Sequence, residues 1–177
     1  LDDVNAVLRS HYEGTSHDPY TNGLNGKEPW RPVSVFRTYE AHVMQVRPWL
    51  PKEIGETTYI GLGMADLTAF VPYYSGLKAY PANYTMGTDK ADDQSIYWKY
   101  RKLQTLTMTD YPKLAPIVKK AYKAWEDKVA KEQKEVEAEY LKMAKTDKPA
   151  ADKMLNDLNL HMMAEAEKLT DDLTNQP

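Results

Sequence analysis

The period of the hydrophobic pattern changes near residue 93, and this change constrains the fold more than any other feature of the chain. Before residue 93, short runs of β-branched and aromatic residues lie between prolines and glycines, which is typical of strands. After it, apolar residues recur at steps of three and four, which predicts helices. We therefore expect a single α+β domain. Residues 1–93 should carry a short helix, loops and antiparallel strands, and residues 94–177 should be helical.

The first part begins with a helix and a long loop. The helix is predicted over residues 2–12, and its apolar residues are spaced for one face, namely Val4, Val7 and Leu8. Residues 13–32 and 75–93 are rich in Gly, Pro, Asn or Asp and predict loops. Four strands are predicted between these loops, at residues 33–38, 41–47, 57–63 and 69–73.

The second part predicts a long helical hairpin. Asp92 or Asp93 can cap a helix that runs to about residue 108, and Pro112 suits the first turn of the next helix. That helix has apolar residues at three- and four-residue steps, namely Leu114, Val118, Ala121, Trp125, Val129, Val136, Tyr140 and Met143. Residues 145–149 predict a turn, after which a last helix repeats the pattern. The two long helices should pair antiparallel.

Charge and composition exclude several classes of function. The net charge is −3, which provides no electrostatic basis for nucleic-acid binding. No stretch approaches the roughly 18 apolar residues that span a bilayer, so we predict no membrane partner and a cytoplasmic location. A signal peptide upstream of Leu1 would change that location. The chain has no cysteine, which excludes disulfides and thiolate metal sites within it.

Residues 37–51 contain polar groups that a folding argument alone would not choose. Arg37, His42, Gln45 and Arg47 interrupt what could be a plain Val and Met strand, which ends at a Pro-Trp-Leu-Pro step. Burying such groups without partners costs about 1–3 kcal/mol each, and more for charges, so they either face water or have a function. For His42 we favour a core histidine bonded to a backbone carbonyl over a catalytic one.

The same residues carry a resemblance. The pattern Arg-Thr-x-x-x-His-Val-x-Gln-x-Arg-Pro-Trp-Leu-Pro over residues 37–51 resembles a signature of the cysteine dipeptidases of the N-terminal-nucleophile (Ntn) hydrolase superfamily, the dipeptidase A and secernin-like family. Residues 9–15 with Asp18 resemble an upstream motif of that family, Arg-x-His-Tyr-Glu-Gly-Thr-x-x-Asp. Further segments recur in the same order at residues 53–55, 61–63, 71–74 and 95–98. The resemblance covers roughly residues 1–125.

The resemblance implies a fold and a missing nucleophile. The family fold is a four-layer αββα sandwich, of which this chain would be the C-terminal portion. Family members attack the peptide carbonyl with an N-terminal cysteine whose α-amino group acts as the base, and no cofactor takes part. Since this chain has no cysteine, it is expected to be a fragment that is inert alone. The missing N-terminal half would be its partner, and apolar sheet surface should be exposed. Family members often form oligomers, so the resemblance also allows a homo-oligomer, although no feature of these residues indicates one.

Four residues are candidates for the site of such an enzyme. The resemblance implies an arginine close to the nucleophile, since a guanidinium is always charged and offers directed donors. Spacing does not identify this arginine, and we prefer Arg37, which ends a predicted short strand, over Arg47. Either arginine could instead form an ordinary salt bridge. Glu13 or Asp18 could pair with the free α-amino group of a small peptide substrate. The side chains of His11, Glu13, His17 and Asp18 also have the types that bind zinc, but their spacing fits no compact motif, so we predict no metal.

A second interpretation belongs to another class. The helical hairpin alone would equally suit a catalytically inert interaction module that docks a partner. The strand and loop motifs favour the dipeptidase, because Glu13, Arg37 and the Pro-Trp-Leu-Pro step have no evident purpose in a hairpin scaffold. The residues do not indicate which dipeptides are preferred.

Overall fold

The computed structural model of the chain describes residues 1–22 and 30–176, so that residues 23–29 of the predicted loop 13–32 lie outside the described residues. It has the expected α+β composition. The described helices are α1 (Asp2–Arg9), α2 (Lys52–Gly55), α3 (Ile96–Thr107), α4 (Tyr111–Met143) and α5 (Lys148–Thr174). The described strands are β1 (Glu40–Val46), β2 (Glu56–Leu62) and β3 (Val71–Tyr74). Short 3-10 turns occur at Ala65–Leu67, Ala82–Tyr84 and Met108–Asp110.

The three strands form one antiparallel sheet with β2 in the centre. Val43 of β1 lies opposite Tyr59 of β2, and Tyr59 lies opposite Pro72 of β3. The turn between β1 and β2 is closed where the Arg47 N–H donates to the carbonyl of Gly55 at 2.7 Å. Short connections of this kind make consecutive strands antiparallel neighbours.

One face of the sheet is exposed at its β1 end. Side chains alternate along a strand, and on β1 every second residue is exposed, so that Met44 is 71% and Val46 65% accessible. The register places Ile60 of β2 on the same face, opposite His42. We call the surface formed by His42, Met44, Val46, Ile60 and Leu62 the open sheet face. The opposite face packs Tyr59 with Phe70, Val43 and Leu8 of α1.

The helices α4 and α5 pair antiparallel, as predicted. Three side-chain contacts follow one another down the pair as the residue numbers rise in α4 and fall in α5, namely Tyr122 with Thr170, Lys128 with Glu165, and Tyr140 with Asp152. The connection between them is short, and Asp147 caps α5 by accepting from the N–H of Ala150 at 3.0 Å. The apolar faces of both helices are buried against α3 and the sheet in the main core.

The free edge of β3 is covered by a side chain rather than by another strand. Asn159 of α5 is fully buried. Its amide donates to the carbonyl of Pro72 at 2.8 Å, and its carbonyl oxygen accepts from the N–H of Tyr74 at 3.1 Å. The side chain therefore satisfies a donor and an acceptor that a strand edge would leave unpaired.

The predicted strand at residues 33–38 is wrong. This segment is a succession of bends and turns, in which the N–H of Ser34 donates to the carbonyl of Ser10 at 2.9 Å and that of Thr38 to Val35 at 2.9 Å. Its backbone groups are satisfied by a distant loop and by local turns, so the strand preference of its valines does not decide its conformation.

Other differences are smaller. The first helix ends at Arg9, and two residues of its predicted apolar face are exposed, Val4 by 47% and Val7 by 64%. The predicted core position of His42 is wrong, because its side chain is exposed and pairs with Glu40 at 3.0 Å. Asp92 accepts from the N–H of Ser95 just ahead of α3.

None of the described helices combines the length and apolar composition needed to cross a membrane. The cytoplasmic location stays a prediction.

Candidate functional site

Arg37 lies on a turn just before β1, with its side chain in solvent. The backbone that precedes it is held firmly. The N–H of Phe36 donates to the hydroxyl of Tyr20 at 3.1 Å, and the Phe36 carbonyl accepts from Nη1 of Arg101 at 2.6 Å. Within residues 1–22 and 30–176, no carboxylate forms a salt bridge with Arg37. The Arg37 guanidinium is therefore exposed and has no salt-bridge partner among the described residues, so a ligand or another part of the protein can bind it.

Arg47 occupies a different environment at the end of β1. Its two terminal nitrogens donate to the two carboxylate oxygens of Glu137 at 2.8 and 2.6 Å, and the second also donates to the carbonyl of Ile54. Tyr74 donates to the same carboxylate at 2.7 Å. The hydrogen bond with Glu137 raises the pKa of Arg47 further. These contacts account for a structural role in fastening β1 to α4, and a catalytic role for Arg47 stays a prediction.

A buried histidine lies between two aspartates near the start of the chain. Nδ1 of His11 is 3.0 Å from Oδ1 of Asp18, and Nε2 is 3.5 Å from Oδ2 of Asp66. The hydroxyl of Tyr111, at the start of α4, is 2.9 Å from Nε2 and also donates to Asp66. Lys119 reaches the other oxygen of Asp66 at 2.6 Å. We call these five residues the His11 cluster; it ties the first loop, the 3-10 turn after β2 and α4 together.

The charged groups of the His11 cluster shift one another's pKa values toward their charged forms. Burial lowers the pKa of His11, but the hydrogen bond and charge of Asp66 and the charge of Asp18 outweigh it, so the pKa lies above the ordinary 6.5. Burial raises the pKa of Asp66, but hydrogen bonds from His11 and Lys119 outweigh it, so the pKa lies below its usual value. The pKa of Asp18 is lowered in the same way, against burial, by Thr21, Tyr20 and His11. The two carboxylates therefore favour the protonated form of the imidazole that lies between them.

A cleft of about 430 Å³ opens beside this cluster. Its lining includes Glu13 and Asp18, the two residues predicted to bind substrate, together with Lys119. Asp18 is only 1% exposed, and its oxygens accept from His11, from the N–H of Tyr20 at 2.9 Å and from the Thr21 hydroxyl at 2.6 Å. Glu13 is exposed. The cleft can therefore offer the carboxylate of Glu13 to a ligand, whereas that of Asp18 is already engaged.

The carboxylate of Glu13 is oriented by an unusual turn. Tyr12 has a φ of 64°, a left-handed conformation that is uncommon for a residue other than glycine. The turn lets Oε2 of Glu13 accept from the N–H of His11 at 2.9 Å. Burial raises the pKa of Glu13, but that hydrogen bond and the charges of His11 and Lys119 outweigh it, so the pKa lies below its usual value. Glu13 is ionised at neutral pH.

The residues considered for a metal do not gather around one point. His11 and Asp18 bind each other, while His17 is exposed and packs edge-on against Trp30 with ring centroids 5.6 Å apart. In the part of the chain that is described, the His, Asp and Glu side chains whose ligand atoms lie within 4.8 Å of one another are those of Glu132, His161 and Glu165. Lys128 already supplies a cation there, 2.5 Å from Glu165.

The segments that carry the His11 cluster, Arg37 and the sheet match a known protein family. The sequence profile of peptidase family C69 matches residues 1–124, which is more than half of the chain. The chain belongs to peptidase family C69. The match includes the His11 loop, Arg37 and the whole sheet, and it ends within α4, close to the predicted limit of residue 125. The resemblance to a dipeptidase family is thereby confirmed.

Curated relatives of this chain carry dipeptidase names. A "Probable dipeptidase" of Salmonella dublin is 53% identical over 87 residues, which are 49% of this chain and 19% of that protein. "Probable dipeptidase B" of Lactococcus lactis is 32% identical over 100 residues, 55% of this chain and 21% of the relative. "Dipeptidase A" of Lactobacillus helveticus is 26% identical over 179 residues, 99% of this chain and 35% of the relative. The chain spans between about a fifth and a third of their length.

Sequence reasoning missed the partners of His11 in this C69 chain. Two of these partners, Asp66 and Tyr111, are buried, with 3% and 5% of their surface exposed. Asp66 had a usable signal, because a lone acidic residue inside the apolar run of residues 64–71 is almost never buried without a partner. No sequence signal pointed to Tyr111, since it lies 100 residues from His11 in the chain.

The His11 cluster predicts how stability depends on pH. The folded state holds a proton on His11 that the unfolded chain releases near pH 6.5, because the folded pKa is raised. Its stabilising contribution is complete below pH 6.5 and is lost as the pH rises through the folded pKa. Asp18 and Asp66, with lowered pKa values, contribute above their unfolded values and lose that contribution in acid. We expect the free energy of unfolding to fall as the pH rises from about 6.5 through the raised folded pKa of His11.

Urea denaturation across that pH range measures this slope. His11→Gln should remove it and lower the free energy of unfolding at pH 6 by about 3 kcal/mol, because two buried carboxylates lose their shared cation. His161→Gln is the matched control, because His161 is an exposed histidine on α5, and it should keep the slope. A slope that persists in His11→Gln would contradict the assignment.

Proposed function

We propose that this chain is part of a thiol dipeptidase whose attacking cysteine lies outside these 177 residues. The observation that carries the proposal is the family C69 match over residues 1–124, which includes the segments bearing Glu13 and Arg37. The relatives that match are named dipeptidases, the matching segments cover only 19–35% of their length, and the chain itself has no cysteine. A nucleophile of that type must therefore come from the remainder of the protein.

Arg37 is the cationic residue of the proposed catalytic centre. Its guanidinium is exposed, free of carboxylate partners among the described residues and carried by a braced turn. A guanidinium next to a thiol favours the thiolate, which is the nucleophilic form. Arg47 suits this role less well, since Glu137 already neutralises it.

The open sheet face is where the rest of the enzyme packs. Met44 and Val46 are each about two-thirds exposed, which leaves apolar area on an otherwise folded sheet. An antiparallel sheet with both faces apolar is stable when a second layer covers it, as in the four-layer sandwich that the resemblance implies. The interaction-module alternative has less support, because the apolar faces of α4 and α5 are buried within the chain.

Glu13 binds the free α-amino group of the substrate. Its carboxylate is ionised, oriented by the His11 N–H and accessible from the cleft. A carboxylate–ammonium contact at this point would restrict the enzyme to peptides with a free N-terminus. A charge-assisted hydrogen bond of this kind contributes about 1.5–3 kcal/mol.

Glu13→Gln should therefore lower kcat/KM for a free dipeptide about 10- to 100-fold, while hydrolysis of the N-acetylated dipeptide, already slow, should stay unchanged. Steady-state kinetics of the full gene product with both substrates measure the difference. The control is Glu139→Gln, an exposed glutamate near the end of α4, which should affect neither substrate. An equal loss on both substrates would contradict the assignment of Glu13.

The proposed function is tested by a dipeptide hydrolysis assay of the full gene product, with and without a thiol-alkylating reagent. We expect hydrolysis that alkylation abolishes, and intact mass spectrometry should show a single added alkyl group on a cysteine outside this chain. Hydrolysis that survives complete alkylation would overturn the thiol mechanism. No hydrolysis of any dipeptide would favour the interaction module instead.

A further inference from the structure

The hydroxyl of Tyr20 clamps the backbone on which Arg37 is carried. It donates to the carbonyl of Ser34 at 2.6 Å and accepts from the N–H of Phe36 at 3.1 Å. One side chain thus bonds the chain on both sides of Val35. The adjoining backbone bond from the N–H of Thr38 to the carbonyl of Val35, at 2.9 Å, closes the turn around Arg37.

Tyr20 is itself fixed by the His11 cluster. Its N–H donates to Oδ1 of Asp18 at 2.9 Å. Its ring lies edge-on to His11 and tilted against Tyr111, with ring centroids 5.2 Å away in both cases. Ser34 is bound to the same cluster, because the N–H of Asp66 donates to its hydroxyl at 2.9 Å. The clamp is therefore anchored on groups that are almost completely buried.

A second brace reaches the segment from α3. Nη1 of Arg101 donates to the carbonyl of Phe36 at 2.6 Å, and the guanidinium lies 4.3 Å from the centre of the Phe36 ring. The same nitrogen donates to the buried Gln104 at 3.1 Å. Every backbone group of Phe36 is thus held by a side chain from elsewhere in the fold, while the next residue, Arg37, is exposed.

We propose that Tyr20 is a positioning residue for Arg37, holding the 34–36 backbone so that the guanidinium keeps a fixed place beside the reacting thiol. This inference rests on the proposed function of Arg37. A turn outside regular strand or helix pairing depends on side-chain and loop contacts of this kind to fix its direction. A catalytic group displaced by about 1 Å can lose about 100-fold in rate, so a brace on its backbone is a determinant of turnover.

A double-mutant cycle on the full gene product tests this role. Tyr20→Phe keeps the ring and removes the clamp, and it should lower kcat about 10- to 100-fold with KM changed less than about twofold. In an Arg37→Lys background, Tyr20→Phe should have almost no further effect, because the group it positions is already altered. Tyr140→Phe is the matched control: its hydroxyl bonds Asp152 near the far end of α4, and kcat should not change.

A second readout does not depend on turnover. The rate of thiol alkylation measured against pH reports the pKa of the nucleophile. Tyr20→Phe and Arg37→Lys should both shift this profile to higher pH, whereas Tyr140→Phe should leave it in place. If Tyr20→Phe does not fold, as judged by circular dichroism, Arg101→Lys loosens the same segment from the Phe36 carbonyl and should give the same shift.

The outcomes separate this inference from the proposed function. An unchanged kcat and alkylation profile in Tyr20→Phe, with a loss in Arg37→Lys, would overturn the positioning role alone. Losses that multiply independently in the cycle would also overturn it, because Tyr20 would then act through general stability. An unaffected Arg37→Lys enzyme would overturn the catalytic role of Arg37, and the positioning role with it.

Discussion

Arg37→Ala in the full gene product is expected to lower the turnover of dipeptides at least about 100-fold, the size of effect seen when a preorganised electrostatic donor is removed from a catalytic centre. The fold should survive, because the Arg37 side chain is exposed and forms no salt bridge among the described residues. Steady-state kinetics combined with thermal unfolding measure both quantities. A loss of turnover without a loss of stability is the expected signature.

Two other arginines provide controls for this prediction. Arg31→Ala removes an exposed arginine from the same segment and should leave turnover within about twofold, which tests for a general effect of surface charge. Arg47→Ala should instead destabilise the fold by about 3–5 kcal/mol, because Glu137 is left partly buried without its partner. Unchanged turnover in Arg37→Ala would remove this residue from the site.

Gly63→Ala is expected to cause a large loss of stability, lowering the free energy of unfolding by about 2–5 kcal/mol. Gly63 has a φ of +75°, which costs a residue with a Cβ roughly 1–2 kcal/mol. The new Cβ would also collide with the amide of Gln104, lying only 2.8 Å from its Nε2. Gln104 is fully buried; it donates to the carbonyl of Leu62 at 2.9 Å and accepts from the N–H of Met64 at 3.1 Å. Displacing it costs a further 1–3 kcal/mol.

Gly14→Ala separates the two parts of this effect. Gly14 has the same φ of +75°, but a Cβ there meets nothing within 4 Å. Its cost should therefore be the backbone strain alone, about 1–2 kcal/mol. Urea denaturation of both variants gives the comparison. Equal losses in the two variants would mean that the contact with Gln104 contributes nothing.

The regular elements could be predicted because their signals are local. The strands β1 and β2 were located to within about one residue, since proline and glycine mark their ends. Pro112 lies in the first turn of α4 as expected. The segment at residues 33–38 could not be predicted, because its conformation is decided by Tyr20 and Ser10, which are distant in sequence. The face of α1 was misjudged since periodicity does not say whether a face is covered.

The candidate site was predictable only in part. Arg37 and Glu13 were chosen because the motifs that carry them resemble a family, and the roles of both remain predictions. The structure adds that Arg37 is exposed and braced, that Glu13 borders a cleft, and that Asp18 and Arg47 are engaged by His11 and Glu137. No spacing rule could distinguish the available side chains from the engaged ones.

By itself, the sequence determined the α+β class, the positions of most helices and strands, the absence of cysteine and the membership of peptidase family C69. Each of these depends on composition or on patterns among near neighbours in the chain. Only the tertiary structure decided that His11 meets Asp66 and Tyr111, and that Tyr20 holds the turn before Arg37. Such contacts join residues up to 100 positions apart. They are set by how helices and loops pack around a shared core, which local periodicity does not specify.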